Sequence, residues 1–335
     1  MEFVEIDGSQ GEGGGQILRT AMTLATISET PIRISRIRAG RREPGLRPQH
    51  LQAVMIAAKL SRGKLKGASV GSTLLEYSPG TELQPLRDRV DVGTAGSLPL
   101  IAQTIIPISI FRDQELDLNM VGGTEVPNSP TIDYLQQLVI PIYEMLGADV
   151  KLQIFQRGYY PRGGGKLSLQ CSKTQSTGPL IFPEPRENIE TKVLSVSRSL
   201  PDHVSRRQAD AAKKILVKAG FSAVNASLDF AGESLSPGSS VLIYSSTPSR
   251  QIGASALGER GKPAEKVGEE AATQFVNETV SFPNVDSHLA DMLITLLCCV
   301  PGKSVFRVSM ISDHFRSNAT VAKSLTGCKI EFQKE

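Results

Sequence analysis

The chain has 335 residues, more than a single hydrophobic core usually supports, so its length predicts more than one domain. With 40% hydrophobic and 21% charged residues, the composition is typical of a soluble globular protein, and no apolar run approaches the length of a membrane span. The net charge of +3 is too small to coat the surface with positive potential, so any anion site has to be local.

The amino-terminal sequence MEFVEID is acidic and too poor in apolar residues for a secretory signal, and we therefore expect a cytoplasmic protein. The four cysteines form neither a CxxC pair nor a Cys/His spacing that would hold zinc. Cys298 and Cys299 end the apolar run that starts at Met292, which favours buried free thiols.

The first motif is a glycine-rich turn that leads into an amphipathic helix, GEGGGQILRTAMTLATI (residues 11–27). Backbone N–H groups at a helix start favour an anion, although the turn has neither the Lys-Ser/Thr of a P-loop nor the spacing of a dinucleotide fingerprint. Glu12 would repel a phosphate there unless a divalent cation lay between them, so it is a candidate metal ligand; the alternative is an ordinary glutamate at a helix start. Arg19, one turn further on, either points back toward this turn or covers the helix.

The second motif places five arginines within residues 36–50, a segment that we call the arginine loop. Guanidinium groups match phosphate oxygens two at a time, and the glycines and prolines of the segment prevent one long helix. The loop is therefore predicted to bind phosphate, and a solvated basic loop is the alternative. The arginines are Arg36, Arg38, Arg41, Arg42 and Arg47, and His50 at the end of the loop could donate to the same phosphate.

The pairing of a glycine turn with a helix returns in GTAGSLPLIAQTIIPI (residues 93–108), and a second helix is predicted after each pair, at residues 48–60 and 130–146. A third, similar unit follows at the end, with a helix at 288–300, a strand at 304–310, a helix from 318 and a strand at 328–333. This order predicts an α/β (α+β) fold of three repeated subdomains, each with two helices on a small sheet, at about residues 1–85, 86–180 and 279–335.

The composition changes at residues 171–190, where Ser, Thr and Pro indicate a linker. Beyond it, strands at 192–197, 224–230 and 241–244 and helices at 203–219 and 263–275 are predicted. Residues 181–278 are therefore expected to form a smaller inserted α/β domain, and residues 1–180 and 279–335 the core.

Three of the four histidines lie where a nucleotide could bind or react. Besides His50, these are His288 and His314, while His203 is an ordinary residue of a predicted helix start. Ser287 or Asp286 would cap the helix that carries His288, and that helix start is a second place for a nucleotide. His314 follows the predicted strand 304–310, and loops at strand ends often carry chemistry, so it is a candidate nucleophile or base; the alternative is a histidine without a chemical role.

Six motifs, in this order, resemble those of the RNA 3'-terminal phosphate cyclase family: GSQGEGGGQILRT, RIRAGRREPGLRPQH, VGTAGSLPLIAQT, GYYPRGGG, HLADM and DHFRSNA. The resemblance covers nearly the whole chain, and the inserted segment falls where that family carries its insert domain. It implies ATP and a divalent cation (Mg or Mn) as cofactors and RNA with a 3'-terminal phosphate as substrate. The implied reaction adenylylates a histidine, passes AMP to the RNA phosphate and closes a 2',3'-cyclic phosphate.

The resemblance also implies roles for individual residues. His314 matches the adenylylated histidine, and Glu12 matches the residue that contacts the cation. The residues that match the triphosphate and RNA-phosphate pocket are Arg19, Arg38, Arg41 and Gln49. Those that match nucleotide-binding positions are Gln103, Pro130 near the adenine, His288, Leu289, Ala290, Asp291 and Met292. His288 stands where the family often has tyrosine and Met292 where it often has glutamine; an imidazole can stack on adenine, but methionine cannot make an amide's hydrogen bonds.

Two other classes of protein fit parts of the pattern. Cyclase-like proteins of ribosome maturation share the fold and many glycines but act without the adenylylated histidine, so His314 and the complete arginine loop favour the enzyme. Transferases that resemble EPSP synthase are built from similar repeats and hold an anionic small molecule with arginines. The plan of three units and an insert disfavours that class.

Overall fold

The computed structural model describes residues 2–82, 84–173, 178–185 and 190–333. Within these residues it is a mixed α/β molecule with three four-stranded sheets, so the expected class of repeated α/β subdomains is confirmed. The expected linker at 171–190 lies partly outside the described residues, at 174–177 and 186–189.

The first unit follows the order β-α-β-α-β-β. Its elements are β1 (Val4–Asp7), α1 (Gln16–Ser28), β2 (Ile32–Ser35), α2 (Pro48–Leu60), β3 (Lys64–Lys66) and β4 (Leu75–Ser78). β1 and β2 pair in parallel because α1 crosses over between them, and antiparallel pairs then add β4 and β3. Both loops of interest, 7–15 and 36–50, leave the carboxyl ends of this parallel pair, so they emerge at the same edge of the sheet.

The second unit repeats this order and the same arrangement of strands, β5-β6-β8-β7. Its elements are β5 (Leu86–Asp91), α3 (Leu98–Arg112), β6 (Leu116–Gly122), α4 (Ile132–Tyr134), a π-helical turn (Leu135–Val139), α5 (Ile140–Met145), β7 (Ala148–Gln156) and β8 (Gly165–Lys173). α3 is apolar around nearly its whole circumference and is accordingly buried. The helix expected at 130–146 is the continuous stretch from α4 to α5.

A third sheet and a separate core belong to the segment between the second and last units. The elements are β9 (Thr191–Arg198), α6 (His203–Lys218), β10 (Val224–Asp229), β11 (Gly238–Thr247), β12 (Arg250–Leu257) and α7 (Ala264–Thr279). The sequence did not predict β12, because its polar and small residues are not typical of a buried strand. Buried Arg157 joins this segment to the second unit, with contacts of 2.5 Å to Glu125, 2.7 Å to Asp133 and 3.7 Å to Asp229.

The last unit consists of α8 (Ser287–Leu297) and α9 (Asp313–Thr326), and the strands expected at 304–310 and 328–333 are not formed. Val305 and Val308 make single parallel bridges, to Ile181 and Val285, because no described segment pairs with residues 304–310 over several consecutive positions. α9 also begins earlier than expected, since the Ser312 hydroxyl accepts a hydrogen bond of 2.9 Å from the Phe315 N–H and caps the helix. His314 therefore lies in the first turn of a helix and not in a loop.

Helices from all three units meet in one hydrophobic core, where α1 packs against α2, α3 and α9. The Thr23 hydroxyl of α1 donates a hydrogen bond of 2.9 Å to the Thr104 carbonyl of α3 inside this core. The packing of α1 against α9 brings the glycine-rich turn that precedes α1 next to the first turn of α9. Across the described ranges, no helix has the length and apolar character needed to span a bilayer.

Candidate active site

The first glycine turn (residues 7–15) and the arginine loop are joined through their backbones. The Gly40 N–H donates a hydrogen bond of 3.1 Å to the carbonyl of Gly13. Gly13 has a φ of +55°, and a Cβ built on it would lie 2.6 Å from the Gly40 nitrogen. Only glycine fits such a contact, so the two segments form one surface with a fixed shape.

Three of the five arginines stabilise these segments themselves. They are Arg36, which pairs with Asp7; Arg38, which donates bonds of 2.8 Å to the carbonyls of Glu43 and Gly45; and Arg47, which pairs with Glu43. Arg42 is exposed and makes no hydrogen bond or ion pair within the part of the chain that the structure describes. The loop is thus a shaped segment, and Arg41 is the member that extends from it toward α9.

Three charged or polar side chains from distant parts of the chain converge at this point. The Nε2 atom of His314 lies 3.1 Å from Oε2 of Glu12, and the Arg41 guanidinium lies 3.4 Å from the same oxygen. The three side chains are between one-third and one-half exposed, so a ligand can reach them from solvent. The site therefore combines an imidazole, a carboxylate and a guanidinium at the mouth of the glycine turn.

The pKa of His314 lies below the ordinary value for histidine. Partial burial is the largest cause, and the positive charges of Arg19, Arg41 and His288 act in the same direction, while the carboxylate of Glu12 opposes them. The imidazole is therefore neutral near pH 7, which is the form that can act as a nucleophile.

Arg19 and His50 form the inner part of the same pocket. Arg19 is half-buried and has no acidic partner among the described residues, and burial lowers its pKa to about 10. His50 is 5% exposed, and burial together with nearby arginine charges lowers its pKa to about 3. His50 Nδ1 accepts a hydrogen bond of 3.2 Å from the Arg47 N–H, so the neutral ring carries its proton on Nε2, beside Gly15. A guanidinium without a counter-ion and a fixed N–H donor suit an anionic ligand.

A buried polar network places α9, and with it His314, against the glycine turn. The Thr20 hydroxyl of α1 donates to Asn318 Oδ1 at 2.9 Å, and Asn318 Nδ2 donates to the Asp291 carbonyl of α8 at 2.7 Å. At the surface, a Cβ on Gly11 would lie 2.2 Å from the Ser317 hydroxyl, so the turn contacts α9 directly. These contacts link the first and last units of the chain across the site.

The start of α8 is built by buried carboxylates. Asp286, one of the two predicted caps, accepts hydrogen bonds from the Leu289 N–H at 2.9 Å and the Tyr134 hydroxyl at 2.7 Å. Burial raises the pKa of Asp291 to about 6, and its carboxylate accepts a hydrogen bond from the α9 cap Ser312. The two helix starts are therefore tied to each other.

The nucleotide-binding positions implied at α8 differ in accessibility. His288 is exposed and close enough to His314 for its charge to lower the His314 pKa. Met292 is half-buried against the core. Leu289 and Ala290 are fully buried, and the N–H groups of both donate hydrogen bonds to Asp286.

The remaining predicted residues lie on α2, α3 and the loop before α4. Gln49 accepts a hydrogen bond of 2.7 Å from the Ser97 N–H, which joins the arginine loop to the second glycine turn (residues 93–97). Gln103 Nε2 is buried and has no hydrogen-bond partner within the described ranges. Pro130 is half-buried, and its carbonyl accepts a hydrogen bond of 3.0 Å from the Ser129 hydroxyl.

Sequence reasoning did not assign the network of Thr20, Asn318 and Asp291 that sets the position of α9. Thr20 and Asn318 are single polar residues on amphipathic helices, and nothing in the local pattern shows that they meet. The cysteine prediction is confirmed in part: all four are free, but only Cys171 is fully buried.

Comparison with known proteins shows the family of the chain. The family model described as RNA 3'-terminal phosphate cyclase matches residues 10–332. The chain belongs to the RNA 3'-terminal phosphate cyclase family. It is 39% identical to the RNA 3'-terminal phosphate cyclase of Thermococcus gammatolerans over 335 residues, covering 100% of this chain and 96% of that protein. The proteins of the same description from Caldivirga maquilingensis and Thermococcus kodakarensis are 40% and 41% identical, over 98% and 100% of this chain and 94% and 96% of theirs.

A carboxylate cluster suited to a metal is absent from the described residues of this cyclase-family chain. Glu12 is the acidic side chain beside His314 and Arg41. Mg²⁺ commonly binds through one or two carboxylates, substrate phosphates and water, so a single half-exposed glutamate beside arginines fits this mode of binding.

Proposed function

We propose that the protein converts the 3'-terminal phosphate of RNA into a 2',3'-cyclic phosphate, with ATP as the source of activation and His314 as the nucleophile. The observation that carries this proposal is the position of His314 Nε2, 3.1 Å from Glu12 and within the electrostatic field of Arg19 and Arg41. Family membership supports the reaction class, and the neutral imidazole supports the covalent route.

In the first step the Nε2 lone pair of His314 attacks the α-phosphorus of ATP. An N–P bond forms, and the bond to pyrophosphate breaks. A divalent cation, Mg²⁺ or Mn²⁺, held by Glu12 and phosphate oxygens would neutralise charge on the triphosphate. For this attack the neutral His314 ring would carry its proton on Nδ1, which leaves the Nε2 lone pair free. Arg19 and Arg41 would stabilise the negative charge that develops on the phosphates.

In the second step an oxygen of the RNA 3'-phosphate attacks the same phosphorus, and the N–P bond to His314 breaks. In the third step the vicinal 2'-hydroxyl attacks the 3'-phosphorus; AMP leaves, and the hydroxyl proton passes to solvent. Arg38, Gln49 and the Nε2–H of His50 would bind these phosphates. Activation by AMP supplies the leaving group that a weakly nucleophilic hydroxyl requires.

The nucleoside of ATP would bind at the start of α8. His288 is exposed there and can stack on an adenine ring, and the unpartnered amide of Gln103 is a candidate donor. Pro130 would complete the pocket beside Asp291 and Met292, and buried Leu289 and Ala290 would hold this helix start in place.

The reaction is tested with an RNA oligonucleotide that carries a labelled 3'-phosphate. Wild-type protein with ATP and Mg²⁺ should make the label resistant to phosphatase, and omission of either should prevent this. His314→Ala should abolish the conversion, whereas His203→Ala, on the exposed start of α6, should not change it. Equal conversion by His314→Ala would contradict the proposal. No conversion by the wild type would favour the class that acts in ribosome maturation.

Glu12→Gln should raise the Mg²⁺ or Mn²⁺ concentration needed, with the exposed Glu5→Gln as control.

A further inference from the structure

The motif GYYPRGGG leaves an aromatic ring and an arginine exposed on one loop, which we call the tyrosine loop (residues 158–165). Tyr159 points inward and is 4% exposed, whereas Tyr160 is 66% exposed. Arg162 is exposed as well, and its guanidinium makes no hydrogen bond or ion pair with described residues. Neither the exposed ring of Tyr160 nor the guanidinium of Arg162 contributes a contact with described residues that would stabilise the fold.

The tyrosine loop is held in place by contacts on both sides. The Gly163 N–H donates a hydrogen bond of 2.8 Å to the Tyr159 carbonyl, and the Arg162 N–H donates one of 3.2 Å to the Ser236 hydroxyl. Leu235, which is 52% exposed, packs against Gly164 and extends the apolar surface. The two exposed side chains therefore project from a backbone of fixed shape at the boundary with the inserted segment.

This loop borders the proposed phosphate pocket through the second glycine turn. A Cβ on Gly163 would lie 2.7 Å from the Ala95 Cα, so the two loops are in close contact. The next residue of the turn, Gly96, lies against Gln49, since a Cβ on it would be 3.0 Å from Gln49 Cβ. The Ser97 N–H also donates to Gln49 at 2.7 Å. A polymer whose end occupied the pocket beside Gln49 would therefore have the tyrosine loop within its reach.

We propose that Tyr160 and Arg162 form a binding subsite for the RNA strand that precedes the terminal phosphate, with a base stacked on Tyr160 and a backbone phosphate on Arg162. Single-stranded RNA is commonly bound by this combination of an aromatic face and a cation, which tolerates any sequence. The subsite rests on the proposed function for the identity of the strand. It requires a substrate of several nucleotides, and it takes no part in the attack on ATP.

Binding of a fluorescent RNA of about ten nucleotides with a 3'-phosphate tests the subsite. Tyr160→Ala should raise the Kd about tenfold, in line with the stacking of one base, and Tyr160→Phe should bind like the wild type. Arg162→Ala should weaken binding and reduce the slope of log K against log salt by about 1. The matched controls are Phe155→Ala, which changes a similarly exposed aromatic residue on β7, and Arg206→Ala on α6; both should bind like the wild type.

Two further measurements separate this subsite from the proposed reaction. A nucleoside 3'-phosphate should bind all these variants with one affinity, because it does not extend to the tyrosine loop. Transfer of AMP to the protein in the absence of RNA should be unchanged in Tyr160→Ala and Arg162→Ala. If Tyr160→Ala and Arg162→Ala both bind the oligonucleotide with wild-type affinity, the proposed subsite is wrong, whichever reaction the protein catalyses. Absence of AMP transfer in the wild type would overturn the reaction and leave the RNA-binding result to be judged separately.

Discussion

His314 Nε2 and Glu12 Oε2 lie 3.1 Å apart, although one residue begins the last helix and the other belongs to the first glycine turn. The contact exists because α9 packs on α1, and the Thr20–Asn318 hydrogen bond of 2.9 Å fixes the two helices in register. Each charge around the His314 imidazole shifts its pKa, and therefore the pH range in which the ring is neutral. Removing one of these charges should change the pH dependence of the reaction.

Glu12→Gln and Arg41→Ala should shift the pH dependence of AMP transfer in opposite directions. The reaction needs neutral His314, so its rate should fall as pH drops through the His314 pKa, which lies below 6.5. Loss of the Glu12 charge lowers that pKa and should move the acid limb to lower pH. Loss of the Arg41 charge raises the pKa and should move it to higher pH. The profile is measured as the second-order rate constant, with ATP far below saturation, because this constant reports the pKa values of the free protein; equal or parallel shifts would contradict the assignment of both residues.

Arg41→Ala should leave the fold intact and reduce turnover at least about tenfold, the effect of losing one weak charge-assisted contact in the transition state. Arg42→Ala is the matched control, since Arg42 is the exposed neighbour without a partner among described residues. Steady-state rates with ATP and RNA provide the measurement. Equal rates for the two variants would show that the arginine loop does not contribute Arg41 to the reaction.

Much of the first two units could be predicted from local pattern alone. The helix expected at 48–60 is α2, and the helix expected near Pro99 is α3, because proline at a helix start and apolar periodicity are local signals. The prediction of a strand at 304–310 was wrong. Apolar residues such as Val305 and Val308 form a strand only beside a neighbouring strand, and the sequence does not show whether one is present. The chemical roles assigned to the site residues stay predictions.

The approach of His314 to Glu12 could not be derived from local signals either. It depends on the packing of α9 against α1, which joins residues from the two ends of the chain. The family resemblance placed both residues in one site, but the buried Thr20–Asn318 contact that holds them there has no local signature.

Gly11→Ala should lower the rate of AMP transfer, because either the glycine turn must move or the Ser317 hydroxyl must leave its hydrogen bond to the Asp313 carbonyl beside His314. Gly11 has a φ of +57°, and its Cβ would clash with the Ser317 hydroxyl at 2.2 Å. Gly71→Ala introduces a residue at a similar φ of +85° with nothing within 4 Å, so it controls for backbone strain alone. The double variant Gly11→Ala/Ser317→Gly should recover part of the lost rate. If Gly11→Ala behaves like Gly71→Ala, the contact with α9 does not position the turn.

His50→Gln should make the protein less sensitive to acid. The folded-state pKa of His50 is about 3, below the unfolded value of 6.5, so only the unfolded chain binds this proton as pH falls below 6.5. The free energy of unfolding should therefore decrease by about 1.4 kcal/mol per pH unit below 6.5, or about 2 kcal/mol at pH 5, from this residue. Urea unfolding at pH 7 and pH 5 should give a drop smaller by that amount in His50→Gln. The same drop in both proteins would show that His50 is not buried as a neutral ring.

The most direct test of the account is the site of covalent attachment after incubation with ATP labelled at the α-phosphate. The wild-type protein, without RNA, should retain label that acid releases, and the labelled peptide should contain His314. His314→Ala should retain none, and His203→Ala should retain as much as the wild type. No label on the wild type, or equal label on His314→Ala, would contradict the account.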